Sequence, residues 1–62
     1  MKRRDLVRQI LALGCVFVRE GGSHSQYKNP RTGENIPVPR HAELDERLSK
    51  KILKDAAAKT KP

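Results

Sequence analysis

The sequence is poor in aromatic residues. Phe17 and Tyr27 are the only two, and tryptophan is absent. Proteins that hold single-stranded nucleic acid often stack successive bases on several aromatic side chains. The scarcity of rings therefore argues against a surface that works by stacking. It also leaves aliphatic residues to fill one thin core layer.

Cysteine is equally scarce, and long apolar runs are missing. Cys15 is the only cysteine, so the chain cannot form the internal disulfides that small secreted domains usually need. The basic start resembles a signal peptide, but Asp5, Arg8 and Gln9 interrupt the apolar stretch that export requires. No stretch is long enough to cross a bilayer. These absences predict a cytoplasmic protein that does not enter a membrane.

Positive charge is what the sequence has in excess. Fourteen Lys and Arg residues stand against seven Asp and Glu residues, which gives a net charge of +7 on 62 residues. On so small a body this field attracts polyanions. A nucleic acid is the predicted ligand, and an acidic protein partner or simple solubility are the alternatives. We expect one domain over residues 1–58 and a flexible basic tail over 59–62, with any active site on an exposed face.

A helix is predicted near the start of the chain. Leu6, Ile10 and Leu13 recur at helical spacing within residues 2–13, with Val7 and Leu11 beside them. The glycine at position 14 can adopt a positive φ without a steric penalty, so it is well placed to end this helix.

Three short β-strands are predicted in the middle of the chain. Cys15–Arg19 is rich in β-branched and aromatic residues, and it stops at Gly21-Gly22. Ser25–Lys28 follows as the second candidate. Turn residues over Asn29–Gly33 then separate it from Asn35–Pro39. Short connections of this kind indicate an antiparallel meander.

Pro37 and Pro39 predict that the third strand lies at the edge of the sheet. Residues two apart in a strand direct their backbone N–H groups to the same side, and here both donors are missing. The strand can therefore pair only on its other side. Ile36 and Val38 then share one face and can reach the core.

A second helix is predicted from about Asp45 to Ala58. Asp45 is a suitable N-cap, and Glu46 adds negative charge at the positive end of the helix dipole. The apolar stripe consists of Leu48, Ile52, Leu53 and Ala56. The expected fold is α+β in the order α-β-β-β-α, a three-stranded antiparallel sheet with both helices on one face.

The segment Gly21-Gly22-Ser23-His24 is the candidate for chemistry. Glycine lets a backbone approach a phosphate closely, serine adds a hydroxyl, and histidine titrates near neutral pH. By itself the tetrapeptide is more typical of a hairpin loop with an exposed histidine than of an active site.

Strand alternation strengthens the case for a site. If Tyr27 points inward, then His24, Gln26 and Lys28 share the opposite, open face. Arg40, just after the third strand, can join them. RNA cleavage needs proton carriers at the 2′-hydroxyl and at the leaving oxygen, and positive charge near the phosphorane. His24 suits either proton role, and Lys28 or Arg40 suits the charge.

The remaining reactive residue types give weaker signals. His41 follows Pro39-Arg40, where a structural or contact role is the favoured interpretation. No Cys-x-x-Cys or His-Glu-x-x-His spacing is present, so neither a metal nor another cofactor is predicted. Cys15 sits among apolar residues and is expected to be a buried small hydrophobe rather than a nucleophile.

The order of these motifs resembles that of the HicA toxin family, which includes YcfA-like proteins. The resemblance spans the chain from the first helix to about Ala58. One departure is Cys15, at a position where relatives commonly carry an aromatic residue. The carriers are Leu6 to Gly14, Arg19, Gly22-Ser23-His24, Tyr27, Val38-Pro39-Arg40-His41 and Lys51-Ile52-Leu53-Lys54.

The resemblance implies a double-stranded-RNA-binding-like fold and ribosome-independent cleavage of mRNA. It also implies a cognate HicB antitoxin that holds the activity off, and it places the family's catalytic histidine on His24. The RNA contacts expected around it are Gly22, Ser23, Gln26, Lys28 and Arg40. Two alternatives remain: a non-catalytic RNA-binding module of the same fold, and an interaction protein whose basic surface holds an acidic partner.

Overall fold

The computed structural model describes residues 1–60 and confirms the α-β-β-β-α order. Helix α1 spans Arg3–Ala12 and helix α2 spans Glu46–Ala57. The strands between them are β1 (Val16–Glu20), β2 (His24–Asn29) and β3 (Glu34–Pro39). They form one antiparallel sheet in the order β1-β2-β3. The predicted tail over 59–62 lies partly outside the described residues.

Helix α1 ends in a Schellman motif, as the glycine after it predicts. Gly14 has a φ of +99°, and its N–H donates to the carbonyl of Leu11 at 3.0 Å. The N–H of Cys15 donates to the carbonyl of Ile10 at 3.1 Å. These two bonds satisfy carbonyls that the end of a helix leaves without partners, and only glycine takes the required backbone angle at low cost.

The stripe predicted on α1 is only partly buried. Leu6 and Ile10 are fully buried, but Leu13 is 38% exposed and Leu11 is 47% exposed. Leu13 lies after the last helical residue, where the turn at Gly14 changes the direction of the chain. The prediction that Leu13 continues the stripe is therefore wrong, because helical periodicity stops with the helix.

Alternation along β2 separates a core face from an open face. Ser25, Tyr27 and Asn29 are buried, whereas His24 and Gln26 are half-buried and Lys28 is exposed. The core face packs against both helices in a cluster that joins Leu6, Ile10, Cys15, Tyr27, Ile36, Val38, Leu44, Ile52 and Ala56. The prediction that Tyr27 points inward is confirmed.

The third strand lies at a sheet edge, as its prolines predict. Among residues 1–60, β3 pairs with β2 only, over Asn29↔Glu34 to His24↔Pro39. The N–H of Arg40 donates to the carbonyl of Ser23 at 3.3 Å, so even-numbered residues of this segment direct their N–H groups toward β2. The odd positions Pro37 and Pro39 face away, where a missing donor costs no pairing.

Strand β1 forms the other edge and contains a β-bulge. Phe17 pairs with Tyr27, but the next pair is Arg19 with Gln26, so Val18 is the extra residue. Residues two apart normally share a face, and a bulge breaks that rule. Phe17 shares the helix side with its partner Tyr27, and the two rings lie 5.5 Å apart in an edge-to-face arrangement. Arg19 is placed on the open face.

The turn between β2 and β3 is fastened to the ends of both helices. Arg31 donates from Nη1 to the carbonyl of Leu13 and from Nη2 to that of Ala56, each at 2.6 Å. The amide of buried Asn29 donates to the carbonyls of Asp55 and Ala58, each at 2.9 Å. A cation and an amide at helix C-termini satisfy orphan carbonyls and oppose the negative end of each dipole.

Helix α2 has the predicted N-cap and most of the predicted apolar stripe. The carboxylate of Asp45 accepts the N–H of Leu48 at 3.4 Å, which confirms the N-cap. Ile52 and Ala56 are buried, and Leu48 and Leu53 pack partly against the core. Ser49 is buried as well, a position that the apolar stripe did not include. Lys50, Lys51 and Lys54 are exposed.

Candidate functional site

The turn before β2 brings two backbones into close contact. The N–H of Gly21 donates to the carbonyl of His24 at 2.7 Å. A Cβ atom on Gly21 would lie 2.8 Å from that carbonyl oxygen, a separation that folded proteins do not tolerate. A Cβ on Gly22 would meet nothing within 4 Å. The turn therefore requires glycine at position 21, because a side chain there would clash. The sequence had instead predicted Gly22 as the residue that approaches a phosphate.

His24 is held at the first position of β2 by main-chain and side-chain contacts. Its Cα partner across the sheet is Pro39, and its side chain is half-buried. The ring nitrogen Nδ1 lies 2.9 Å from the hydroxyl of exposed Ser23. This contact occupies one ring nitrogen and leaves Nε2 as the one available to a ligand. Ser23, expected as an RNA contact, thus already has a partner within the chain.

The open face of the sheet carries positive charge around His24. Gln26 and Lys28 follow on the same face of β2, and the bulge adds Arg19 opposite Gln26. The nearby carboxylates belong to Glu20 and Glu34, which pair with core-face residues Ser25 and Asn29. The open face therefore combines a titratable ring, an amide and two cations. Arg19 was not among the predicted site residues, because the bulge that places it here leaves no local signal in the sequence.

Lys28 and Arg40, both predicted beside His24, are placed differently in the structure. His24 and Lys28 are four residues apart in one strand, a separation of about 13 Å along β2 at the usual rise per residue. Arg40 directly follows Pro39, the cross-strand partner of His24. Arg40 continues the parity of core-face Val38, and its Nε lies 3.8 Å from Oε1 of Glu20, so its charge is directed to that carboxylate and not to the open face that sequence reasoning predicted for it.

A chain of polar side chains fixes the strand ends next to His24. Arg3 donates from Nη2 to the hydroxyl of Ser25 at 2.6 Å and from Nε to the carbonyl of Pro39 at 2.9 Å. Ser25 in turn donates to Oε1 of Glu20 at 2.7 Å. The same Glu20 oxygen lies 3.8 Å from Nε of Arg40. Helix α1 is thereby connected to all three strands at the end of the sheet that holds the site.

Two other reactive residues, His41 and Cys15, lie outside the named strands. His41 is exposed beyond β3. Cys15 is buried, and burial raises the pKa of its thiol, with nearby Arg31 acting in the opposite direction. Among residues 1–60 no group of three His, Cys, Asp or Glu side chains is arranged to hold a metal ion.

A cavity lies away from the predicted site residues. An open cavity of about 430 Å³ lies at the start of α1, lined by Lys2, Arg3, Arg4, Ala42 and Glu43. It contains none of the predicted site residues.

Neither helix within residues 1–60 has the length and apolar character needed to span a membrane.

The element order, the sheet topology and the helix-free basic face define a small α+β protein of the double-stranded-RNA-binding-like class. A family model described as the HicA toxin of bacterial toxin–antitoxin systems matches residues 3–58. Because the match covers most of the 62 residues, the chain belongs to the HicA toxin family and has a toxin role. No curated protein and no solved structure matches the chain.

Proposed function

We propose that this toxin is a ribosome-independent endoribonuclease that cleaves mRNA in the cytoplasm, with His24 as its general acid or base. The observation that carries the proposal is the position of His24. Its imidazole can accept and give a proton, and it is held by Ser23 at the end of a central strand on a positively charged sheet face. Such a face attracts a phosphate backbone, and the ring supplies the proton transfer.

Cleavage of RNA requires removal of the 2′-hydroxyl proton, attack of that oxygen on the phosphorus, and protonation of the oxygen that leaves. The ring of His24 can perform either proton transfer through Nε2, since Nδ1 is engaged by the hydroxyl of Ser23 at 2.9 Å. Charge builds up on the phosphorane oxygens during the reaction, so a nearby cation lowers the barrier. Arg19 and Lys28 are the cations on the same face as His24, whereas Arg40 would have to leave Glu20 to reach a phosphate there.

The remaining open-face residues serve binding of the phosphate backbone. Lys28, about 13 Å along the strand from His24, suits a flanking phosphate. Arg19 and Gln26 lie side by side between them, and Gly22 leaves space at the turn for a sugar or phosphate. Recognition by shape and phosphate contacts agrees with the scarcity of aromatic residues, since Phe17 is exposed but Tyr27 is buried. Proton transfer by side chains needs no metal, so we expect cleavage to persist in a chelator.

The partner of the toxin is proposed to be a HicB-type antitoxin that covers the face with His24. A net charge of +7 favours a partner of opposite charge. Covering His24 or the phosphate-binding cations would stop cleavage by occlusion. An antitoxin complex that leaves this face open and still suppresses cleavage would replace occlusion with an allosteric mode.

The decisive variant is His24→Ala, measured on purified RNA and on cell growth. Loss of a general acid or base typically lowers the rate by two to four orders of magnitude. Because His24 is only half-buried and outside the core cluster, the free energy of unfolding should change by only about half a kcal/mol. His41→Ala is the matched control and should retain the parent rate.

The same experiment separates catalysis from binding alone. RNA that stays intact with the parent protein, while it binds tightly, would favour a non-catalytic RNA-binding module of the same fold. His24→Ala protein that cleaves at the parent rate would exclude His24 as the catalyst and direct attention to His41. Weak binding that depends on charge alone would favour an interaction protein.

A further inference from the structure

Within residues 1–60, the large apolar side chains that are exposed lie in one segment. All the large hydrophobic residues exposed within residues 1–60 fall between positions 11 and 18, and each is between 38% and 51% exposed. We call this set the apolar flank: Leu11, Leu13, Val16, Phe17 and Val18. Scattered single apolar residues are normal on a protein surface, but five large exposed ones within eight consecutive positions mark a candidate interaction site.

Three residues of the apolar flank, Val16, Phe17 and Val18, lie on β1, the one edge of the sheet that no proline protects. At the other edge, Pro37 and Pro39 remove the outward N–H donors. β1 has no strand beside it other than β2 within the described part of the chain, and its residues are exposed throughout. An edge with free backbone groups and apolar side chains is a surface to which another protein segment can add.

The charge pattern around the flank decides which kind of protein fits. No acidic residue occurs between Leu6 and Arg19, while Arg8 and Arg19 lie within that stretch. Lys28 is paired across the sheet with Val16. A partner must therefore present apolar residues at its centre and carboxylates at its rim. A second copy of this chain meets the first requirement but brings another seven positive charges.

We propose that the apolar flank is the anchoring surface for the acidic antitoxin, through a segment of that protein lying along β1. This inference rests on the antitoxin partner proposed above and does not depend on RNA cleavage. The turn from Gly21 to Ser23 directly follows β1 and leads into His24. A protein anchored on β1 is therefore next to the candidate catalytic residue and can cover it while making its main apolar contacts elsewhere.

Leu11→Lys and Val18→Lys test the proposal from the two ends of the flank. The binding probe is the purified product of the reading frame adjacent to the gene of this chain, titrated at fixed salt. We expect each variant to bind the probe at least tenfold more weakly. A loss of this size is typical when a residue at the centre of an interface is replaced. Added positive charge alone would strengthen binding to an acidic partner, so a loss specifically reports the apolar contact.

Ala57→Lys is the matched control, because it adds the same charge at an exposed position on α2 outside the flank. It should bind the probe within threefold of the parent. Melting temperatures of all three variants establish that each is folded. RNA cleavage by the isolated variants should equal that of the parent, so failure of the ribonuclease proposal and failure of this one give different results.

Hydrogen exchange supplies a second readout. On addition of the probe, amides of residues 11–18 should become protected together with those around His24. Parent-like affinity of both flank variants, or protection that omits residues 11–18, would overturn the proposal. So would a dimer of the isolated chain that Val18→Lys dissociates, since the flank would then be covered by a second copy.

Discussion

The hydroxyl of Ser23 lies 2.9 Å from Nδ1 of His24, so the residue before the candidate catalytic ring is the one that positions it. The contact joins neighbouring residues and needs no distant element to form. It fixes which ring nitrogen remains for substrate. Chemistry at this site therefore depends on a local bond, while the surface that carries the site depends on the whole sheet.

Ser23→Ala should slow cleavage while leaving RNA affinity unchanged. An exposed hydrogen bond of this kind contributes about 0.5–1.5 kcal/mol, which corresponds to a roughly two- to tenfold fall in kcat. Ser23→Thr keeps the hydroxyl and should restore most of the rate. Single-turnover kinetics on one RNA would separate the two effects. A rise in KM with an unchanged kcat would instead mean that Ser23 contacts the RNA directly.

Gly21→Ala should destabilise the protein, whereas Gly22→Ala should not. The new methyl group on residue 21 would lie 2.8 Å from the carbonyl oxygen of His24, and the turn would have to open. Overpacking of this kind costs about 1–3 kcal/mol. Thermal unfolding measures both variants. Equal melting temperatures would show that the turn relaxes without cost.

Removing an open-face cation should flatten the salt dependence of RNA binding. Each phosphate contact contributes about one unit to the slope of log affinity against log salt. We expect this reduction for Lys28→Ala and Arg19→Ala, and a smaller one for Arg40→Ala, whose charge is paired with Glu20. Lys50→Ala is the control, since α2 lies on the opposite side of the sheet. Unchanged slopes in all three variants would show that RNA binds a different surface.

Arg31→Met should lower the melting temperature more than the loss of another exposed arginine. Arg31 donates to the carbonyls of Leu13 and Ala56 at 2.6 Å and to that of Ala58 at 3.2 Å, and so joins both helix ends to the β2–β3 turn. Allowing for its exposure, we expect a loss of about 2 kcal/mol and a fall on the order of 10 °C. Arg8→Met, which breaks a surface pair at 3.7 Å, should change stability by less than about 1 kcal/mol.

Cys15 should make the protein sensitive to alkaline pH. Burial raises the pKa of this thiol above its ordinary value, so the folded state holds the proton more tightly than the unfolded state does. The stability that the protonated Cys15 thiol contributes is complete below the ordinary thiol pKa. It is lost as the pH rises through the raised pKa of the folded state. Cys15→Ala lacks this loss. Its stability relative to the parent should therefore improve above about pH 9, as measured by denaturant unfolding at several pH values.

Much of the fold follows from local signals in the sequence. The positive φ of Gly14, the N-cap at Asp45 and the inward position of Tyr27 each depend on the preferences of a few adjacent residues. Pro37 and Pro39 determine a sheet edge because a missing N–H is a property of the residue itself. The candidate site at Ser23-His24 was predictable for the same reason, since its residues are consecutive.

Tertiary structure decided the features that depend on contacts between distant segments. The bulge at Val18 arises from pairing between β1 and β2, and it alone moves Arg19 to the face that holds His24. The bonds of Arg31 to both helices join residues as far as 27 positions apart. Leu13 and the strand β1 remain exposed because the two helices cover only part of the sheet. The sequence shows which residues are apolar. The area that the helices bury determines which of those residues stay exposed and can contact a partner.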